Sequence, residues 1–485
     1  MATLSSAMNY ALAGLSVSAT QSAVVSRNVS SAGDENYARK TAEIVSLPGT
    51  GPVISQITRS SDRLLLDKLL SASSNAAGQQ ITFDALSRMS SLTGDPQDNQ
   101  SVTAHLGKLQ DALRDFEQNP ASTPLARSAL EAARAVALKL NEASSEISAI
   151  RAEVDGAMAE SAERMVNLLA QFKVVNDSIV RGQGTAGELS DALDQRDSIL
   201  KFLSEEIGIR TTVRPNNDVL IYAEGGAVLF EGSSRSVTFL SSNSLPPGST
   251  GNALIIDGVS VTGLGATMPA SGGRMTAYAA VRDNLGPELS LRMDQVAAGL
   301  VVAFSEADPL FPAGLQTVEG LFQGFGSVPV LSDTNPGLAG AIRINGLADP
   351  EQGGALLMIR DGGFGGPSYV RNTDGLAGYQ KRISEMADAI DGSLNFGSTV
   401  GTTSLKDLSA RSASWVEARR WEEQTRLDAA NATKSRASNS LSQVTGVNID
   451  QEMATLLDLE KSYQASSKVL SVVNAMLATL LEAIN

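Results

Sequence analysis

The last stretch of the chain, residues 447–485, carries a long apolar seam and contains neither proline nor glycine. Members of the seam recur at alternating steps of three and four residues, the spacing of a coiled-coil helix: Leu456, Leu459, Tyr463, Ser466, Leu470, Val473, Leu477, Leu480 and Ile484. Ile449 and Met453 extend this face upstream. A helix of this length spans roughly 50 Å at ~1.5 Å per residue. Since the face cannot bury itself, it predicts a partner helix from this chain, from another copy, or from both.

The N-terminal stretch carries a weaker seam of the same kind. Its members also follow steps of three and four residues: Leu4, Met8, Ala11, Leu15, Ser18, Ser22, Val25 and Val29. Ala and Ser permit close approach of a second helix, but they bury little apolar area. We expect this helix to end near residues 30–33, because Gly33 and Asp34 supply turn chemistry. The two ends of the chain are therefore predicted to pair.

Composition excludes several classes of function. The 485 residues include 53 acidic and 38 basic side chains, giving a formal net charge of −15, and no dense run of Lys or Arg occurs. Nucleic acid and anionic membranes are therefore not expected as partners, because both require a basic surface. The absence of cysteine removes disulfides, thiolate metal ligands and cysteine nucleophiles. The N-terminus lacks a secretory-signal pattern, and no apolar run reaches membrane-spanning length.

Helical periodicity and turn-rich sequence alternate along the chain and predict an α+β, multidomain fold. The sequence pattern changes near residue 209, where short runs of alternating apolar and polar residues replace the helical spacing of apolar residues. The predicted segments are, in order, 1–35 (N-terminal coiled-coil helix), 36–208 (extended segment and helical bundle), 209–273 (β-rich hairpin region), 274–308 (bundle helix), 309–373 (Gly/Pro-rich β insert), 374–445 (bundle helices) and 446–485 (C-terminal coiled-coil helix).

More specific predictions follow within these segments. Residues 41–46 and 53–57 are expected to form a hairpin. Bundle helices are predicted over residues 62–70, 83–92, 102–116, 124–180, 188–207, 274–307, 375–390 and 405–441. Gly286 and Pro287 are expected to kink or split one of them. Strand candidates in the β insert are residues 328–331, 342–344 and 356–359.

Two motifs could carry chemistry. Residues 182–187 have the GxGxxG spacing of a dinucleotide-binding loop, but they follow a predicted helix and not the buried strand that such a loop requires. A helix–loop–helix connection is the favoured interpretation, and nucleotide binding is the alternative. His105 is the only histidine and has no second His or Cys for a metal site. We predict no catalytic, cofactor-binding or metal-binding residue, and no cofactor.

Two further features have open interpretations. Carboxylates on the helix over 188–207 are interpreted as a solvated face, with a pair for acid–base chemistry as the alternative: Asp191, Asp194, Asp197, Glu205 and Glu206. Trp415 and Trp421 are six residues apart, so they point to different faces of a helix. We favour two core or boundary residues; the alternative is that one of them contacts a partner.

Both ends of the chain resemble the signatures of bacterial flagellar axial proteins, the family of rod, hook and hook-associated proteins. The N-terminal resemblance lies in Gly14-Leu15, Asn28-Val29-Ser30 and Asn36-Tyr37-Ala38-Arg39, with Glu35-Asn36 in place of the usual Pro-Gly. The C-terminal resemblance lies in residues 446–453 (GVNIDQEM), 463–466 (YQAS) and 469–470 (VL). Residues 188–197 (ELSDALDQRD), 272–275 (GGRM) and 281–283 (VRD) are similar to hook-associated members.

This resemblance implies a structural, non-enzymatic role at the junction between hook and filament. It implies export through the flagellar type III channel without a cleaved signal, and an extracellular location. The implied partners are further copies of the chain in a ring or short helical zone, hook protein, the second junction protein, and an export chaperone at the C-terminal helix. Another axial protein (the second junction protein or hook protein) remains an alternative, as does a nucleotide-binding enzyme.

The assembly interface is predicted to consist of the two terminal seams. Its residues are Leu4, Met8, Ala11, Leu15, Val25, Val29, Leu456, Leu459, Tyr463, Leu470, Val473, Leu477, Leu480 and Ile484. The Ser- and Ala-rich N-terminal seam is too poor in apolar area to cover the Leu-rich one. We therefore expect a second apolar line, Val469, Val472 and Met476, to contact neighbouring subunits.

Overall fold

The computed structural model describes residues 2–47, 50–93, 100–182, 186–307 and 316–482. It has an α+β, multidomain architecture in which helices dominate and the sheets are small. The helices are α1 (Ala2–Ser30), α2 (Arg63–Thr93), α3 (Val102–Gln118), α4 (Thr123–Arg181), α5 (Ala186–Glu206), α6 (Gly273–Ala280), α7 (Gly286–Ala303), α8 (Leu338–Ala341), α9 (Met358–Asp361), α10 (Lys381–Asp391), α11 (Gly397–Val400), α12 (Leu405–Thr445) and α13 (Ile449–Glu482).

The strands pair in antiparallel fashion within small sheets. They are β1 (Lys40–Leu47), β2 (Gly51–Arg59), β3 (Ile209–Val213), β4 (Val219–Ala223), β5 (Val228–Phe230), β6 (Val237–Thr238), β7 (Ile255–Ile256), β8 (Val259–Ser260), β9 (Phe322–Gln323), β10 (Arg343–Ile344), β11 (Leu394–Asn395) and β12 (Thr402–Thr403). The sheet orders are β1-β2, β3-β4-β5, β6-β7-β8, β10-β9 and β11-β12. The predicted hairpin after α1 is confirmed, and its register runs from Lys40 opposite Arg59 to Leu47 opposite Gly51.

The longest described helix, α4, has 59 residues and extends about 90 Å at 1.5 Å per residue. Ser122 caps its N-terminus, with its Oγ accepting a hydrogen bond from the Leu125 N–H. Pro124 lies in the first turn, where a missing N–H is tolerated. Gly182 ends the helix in the left-handed conformation, with φ of 61°. Because these signals are local, the helix predicted over 124–180 is confirmed nearly to the residue.

Two apolar cores lie along α4. In the first, α3, α7, α10 and the start of α12 pack with the N-terminal half of α4, burying residues that include Leu106, Phe116, Leu130, Val296 and Ile383. In the second, α5, α6 and the β3-β4-β5 sheet pack with its C-terminal half, burying residues that include Met165, Phe172, Leu203, Ile221 and Phe230. The α4 helix therefore supports both the helical bundle and the β-rich segment.

The α2 helix corrects one sequence prediction. The separate helices predicted over 62–70 and 83–92 are one continuous helix, which packs along α12. Gly78 lies inside it, and a Cβ atom at this position would be only 3.1 Å from the carbonyl oxygen of Gly273 at the start of α6. The glycine thus allows two backbones to approach closely without ending the helix.

The helix predicted over 274–307 is also modified. A π-helical turn over Val281–Leu285 separates α6 from α7, and Pro287 lies in the first turn of α7. The predicted division near Gly286 and Pro287 is therefore confirmed, but α7 ends at Ala303 and not at residue 307. None of the helices in the described ranges combines the length and apolar content needed to cross a lipid bilayer.

The insert differs most from its prediction. The strand candidate at 342–344 overlaps β10, whereas residues 328–331 form no strand and residues 356–359 enter α9. Leu356 and Ile359 are both buried at a spacing of three residues, which suits a helical turn better than a strand. The residues from 362 to 366 form a loop, which buried Glu306 holds by accepting hydrogen bonds from Phe364 N (2.8 Å) and Gly365 N (3.3 Å).

Candidate assembly interface

The terminal helices α1 and α13 lie against each other in antiparallel orientation. Ser18 Oγ on α1 lies 3.5 Å from Ser462 Oγ on α13. One turn away, Gly14 faces Ser466, and a Cβ atom at Gly14 would lie 3.1 Å from Ser466 Oγ. Small residues on both helices therefore permit a close approach of the two backbones.

This pairing only half-buries the predicted seams. Ala11, Ser18, Val25 and Val473 are buried, whereas the other described seam residues are half-buried or exposed. The half-buried members are Leu4, Met8, Leu15, Val29, Leu456, Leu459, Leu470 and Leu477, and the exposed one is Tyr463. The side chain of Leu480 and the whole of Ile484 lie outside the described residues.

Many apolar side chains of this helix pair and of the adjoining hairpin remain open to solvent. The second line on α13, Val469, Val472 and Met476, is about half exposed, at 49%, 51% and 51%. Other exposed apolar residues on the two helices are Tyr10, Leu12, Ile449, Met453 and Leu457. The β1–β2 hairpin contributes exposed Ile44, Val45 and Leu47, and its Gly51 lies against Tyr10 and Ala13 of α1.

The base of the α1–α13 pair is polar and tightly connected. We call Asn28, Tyr37, Arg39, Lys40 and Glu452 the root cluster. Asn28 is completely buried and uses both ends of its amide: Nδ2 donates to Lys40 O (2.9 Å) and Glu452 Oε2 (3.0 Å). Its Oδ1 accepts from Lys40 N (3.1 Å) and Tyr37 OH (2.9 Å). Every hydrogen-bonding site of this buried amide is thus used.

Glu452 joins α13 to the segment that follows α1. Its carboxylate is 1% exposed, and Oε1 accepts a 2.6 Å hydrogen bond from Arg39 Nε. The backbone N–H of Arg39 also donates to Thr445 O at the end of α12 (2.7 Å). Three separate elements, namely α1, α12 and α13, therefore meet at the residues that follow the first helix.

The root cluster is in turn bonded to α5. The ammonium group of Lys40 is buried, pairs with Asp191, and lies 3.2 Å from Asp194 Oδ2. From β2, Arg59 Nε lies 2.7 Å from Asp194 Oδ1, and the same guanidinium pairs with Asp197. These ion pairs connect the terminal helices and the hairpin to the bundle.

The interpretation of the α5 carboxylates as a solvated face is therefore wrong. Besides the three Asp residues, Glu206 is buried and accepts hydrogen bonds from Ser161 Oγ (2.6 Å) and Arg164 Nε (3.0 Å). Glu205 pairs with Arg274 (3.1 Å) and Lys434 (3.0 Å). Since α5 is packed against α2, α4, α6 and β2, its acidic side chains meet cations supplied by distant parts of the chain.

The pKa shifts in this region follow burial and ion pairing. Burial raises the pKa of Tyr37 to about 12 and also raises the pKa of Asp194, despite the nearby charges of Arg59 and Lys40. Burial acts on Asp191 in the same direction, but hydrogen bonds from Lys40 and Arg27 outweigh it and hold the pKa of that carboxyl below its usual value. These hydrogen bonds and ion pairs hold α1, the β1–β2 hairpin and α5 together.

The other residues singled out in the sequence lie away from this site. His105 is half-buried on α3, and burial, followed by the charges of Lys108 and Lys139, lowers its pKa. Gly182 ends α4, while residues 183–185 of the GxGxxG motif lie outside the described residues. Trp415 packs at the core boundary, but Trp421 is 73% exposed. The prediction that both tryptophans are core or boundary residues is therefore wrong for Trp421.

Sequence reasoning did not identify the root cluster as a site. Asn28, Tyr37, Arg39 and Glu452 all lie within the family signatures at the two ends, which was the available signal. The assembly interface was predicted from the spacing of apolar residues alone, which indicates only the seams. The polar side chains that join the seams to the bundle have no periodicity of their own.

Family comparisons agree with the resemblance found in the sequence. Residues 86–309 match the family model for the flagellar hook-associated protein FlgK helical domain. Residues 441–483 match the model for the C-terminal region of flagellar basal body rod FlgEFG proteins. The root-cluster residue Glu452 and the second apolar line lie within the second match.

Curated proteins similar to this chain carry related names. The chain is 24% identical over 242 residues to flagellar hook-associated protein 1 of Salmonella typhimurium, covering 47% of this chain and 43% of that protein. It is 23% identical to the Escherichia coli protein of the same name, covering 47% and 44%. The match thus spans less than half the length of these relatives. The flagellar hook junction protein FlgK from Burkholderia pseudomallei aligns with a TM-score of 0.43 and 18% identity over 53% of this chain and 46% of that one. The resemblance to hook-associated members that the sequence indicated is confirmed by the family and sequence matches.

Proposed function

We propose that this chain is a structural subunit of the bacterial flagellum at the junction between hook and filament, and that its terminal helices build it into the organelle. The observation that carries the proposal is the exposed apolar line Val469, Val472 and Met476 on α13. This helix lies within the region that matches the C-terminal model of flagellar rod proteins.

The physical argument starts from the area that the single chain leaves open. A fully buried Val, Leu or Met side chain contributes roughly 1.5–3 kcal/mol. The half-exposed side chains along α13 gain only part of this burial free energy in the single chain. Contact with another molecule would supply the rest. Contiguous exposed apolar patches mark interaction sites in soluble proteins. Repeating the same α13 face around a ring would bury it against further copies of the chain.

The proposed assembly interface has an inner and an outer part. The inner part is the pair of seams listed above, whose half-buried state leaves room for tighter packing in an assembly. Leu480, whose side chain lies outside the described part of the structure, and Ile484 remain predicted members. The outer part is the second line on α13 together with exposed Ile44, Val45 and Leu47 on the hairpin.

The proposed partners are further copies of the chain, hook protein, the second junction protein and a flagellar export chaperone. The chain would reach its extracellular site through the flagellar type III channel and would have no enzymatic activity. The match of residues 86–309 to the helical-domain model of a hook-associated protein supports this assignment over hook protein.

Deletion of the gene, followed by imaging of the cells, tests the proposal. We expect bare hooks, flagellin released into the medium and no swimming, all restored by the full-length chain. A tagged copy should be found between hook and filament. Missing hooks would indicate hook protein instead, and attached filaments with normal swimming would contradict a junction role altogether. For the enzyme alternative, a clear thermal stabilisation by nucleotides would indicate a binding site.

A further inference from the structure

We propose that Asn28 and Glu452 fix the axial register of α1 against α13, so that the root cluster, and not the apolar seam, determines where the α13 face stands relative to the bundle. This inference rests on the proposed function, because the register acquires its use when subunits assemble. Both residues would act as positioning residues for assembly.

The seam by itself specifies register weakly. Apart from buried Val25 and Val473, its contacts are made mainly by small or half-buried residues, including Gly14, Ser18, Ser462 and Ser466. The spacing of both seams repeats every seven residues, so a shift by one repeat would again place apolar residues opposite each other. A buried polar residue is the feature that most often selects one register among such alternatives.

The root cluster supplies that selection. Asn28 Nδ2 and Glu452 Oε2 are 3.0 Å apart, and neither residue is accessible to water. A shift of seven residues would move Glu452 by about 10 Å along the axis. The buried amide would then lose one of its partners, and the carboxylate would be separated from both Asn28 and Arg39. Unpaired buried polar and charged groups are strongly disfavoured, so the shifted pairing is selected against.

The selected register is transmitted to the bundle. Lys40 bonds Asn28 through its backbone and pairs with Asp191 and Asp194 of α5 through its side chain. The position of Glu452 relative to α5 is therefore fixed. Because α13 continues as one helix from Ile449 to Glu482, the height of the exposed line that starts at Val469 is fixed as well.

Disulfide trapping can measure the register directly, since the natural chain has no cysteine. The Ser18→Cys/Ser462→Cys pair reports the observed register, because the two Oγ atoms are 3.5 Å apart. The Ser18→Cys/Thr455→Cys and Ser18→Cys/Val469→Cys pairs report shifts of one repeat in either direction. Each pair is introduced into the full-length chain and oxidised, both in purified protein and in isolated flagella.

We expect the first pair to cross-link and the two shifted pairs to remain reduced. Adding Glu452→Ala or Asn28→Ala should raise the ratio of shifted to native cross-links about tenfold, whereas Glu452→Gln, which keeps a hydrogen-bonding group, should change it little. Leu470→Ala serves as a matched seam variant that weakens the pair without changing the ratio.

Three outcomes would overturn the inference. They are an unchanged ratio in the Asn28→Ala and Glu452→Ala chains, a uniform loss of all cross-links in these chains, and no native cross-link in the otherwise natural chain in either preparation. Failure of the junction role would leave the cross-linking ratio of the purified chain intact, so the two proposals fail separately.

Discussion

Arg282 Nη1 lies 2.5 Å from Asp155 Oδ1, and both side chains are buried between α4 and the π-helical turn. The same guanidinium pairs with Asp283 and donates to Asn252 O (2.8 Å). Asp155 Oδ2 also accepts a hydrogen bond from Ser242 N (2.7 Å). This cluster fastens the loop between β6 and β7 to the longest helix.

Removing Asp155 should therefore be costly. Asp155→Ala leaves part of a buried positive charge without its partner, and we expect the free energy of unfolding to fall by about 3–5 kcal/mol. Glu153→Ala is the matched control, because Glu153 lies on the same helix in an exposed pair with Arg88 (2.7 Å) and should contribute at most ~1 kcal/mol. Denaturant unfolding of both variants measures the difference. Equal effects would show that the buried pair adds nothing.

Two helical glycines should respond in opposite directions to alanine. A Cβ atom at Gly156 in α4 meets nothing within 4 Å, so Gly156→Ala should stabilise by roughly 0.5–1 kcal/mol through helix propensity. A Cβ atom at Gly286 would lie 2.8 Å from Arg151 Cγ, which is fully buried. Gly286→Ala should therefore destabilise by about 1–3 kcal/mol through overpacking. Thermal unfolding of the two chains distinguishes these signs, and a stabilised Gly286→Ala chain would contradict the packing argument.

Buried Asp294 predicts a specific pH dependence. Its oxygens accept the N–H groups of Gly337 (2.9 Å) and Ala339 (2.8 Å), but burial outweighs these bonds and raises its pKa to about 6 from 3.8. Between these values the folded chain binds the proton more tightly than the unfolded chain, so this group's contribution to stability is present below pH 3.8 and is lost as pH rises through 6. The loss is on the order of 3 kcal/mol.

The Asp294→Asn chain isolates this contribution. It has no proton to release, so its unfolding free energy minus that of the natural chain should rise between pH 4 and 6 and remain constant above pH 7. Denaturant unfolding across this range measures the difference. A flat difference from pH 4 to 7 would contradict a raised pKa at Asp294.

Features with local causes could be predicted from the sequence. The ends of α4 follow from Pro124 and Gly182, and the end of α1 follows from the turn near Gly33. The short elements of the insert could not be predicted, because their conformations depend on tertiary packing. Ile359, for example, belongs to a helical turn because it packs on the bundle core.

The root cluster shows the same limit at the candidate site. Asn28 and Glu452 are 424 residues apart in sequence, and nothing in their local patterns indicates that they meet. The same limit explains the wrong prediction that the α5 carboxylates face solvent. The cations that pair with Asp191 and Asp194 come from α1, β1 and β2, which are distant in sequence from α5. A single sequence gives charges and periodicities, but the pairing of distant charges depends on the complete fold.

The exposed line on α13 makes the most direct prediction about assembly. Val469 is 49% exposed, so Val469→Asp should change the unfolding free energy of the isolated chain by no more than ~0.5 kcal/mol. In an assembly that buries this face, the same carboxylate would lie in an apolar contact, and its desolvation should prevent incorporation. We expect lost swimming and flagellin in the medium. Ser467→Asp, which adds the same charge at another exposed position of α13, is the control and should swim.

Val473→Asp separates the two faces of the helix. Val473 is 6% exposed between α1 and α13, so its replacement should destabilise the helix pair itself, visible as faster proteolysis of both chain ends. If the Val469→Asp chain swims normally and its flagella retain their filaments, the second apolar line has no part in assembly. If it fails in the same way as Val473→Asp, with both ends equally sensitive to protease, Val469 supports the pair and does not contact a neighbour.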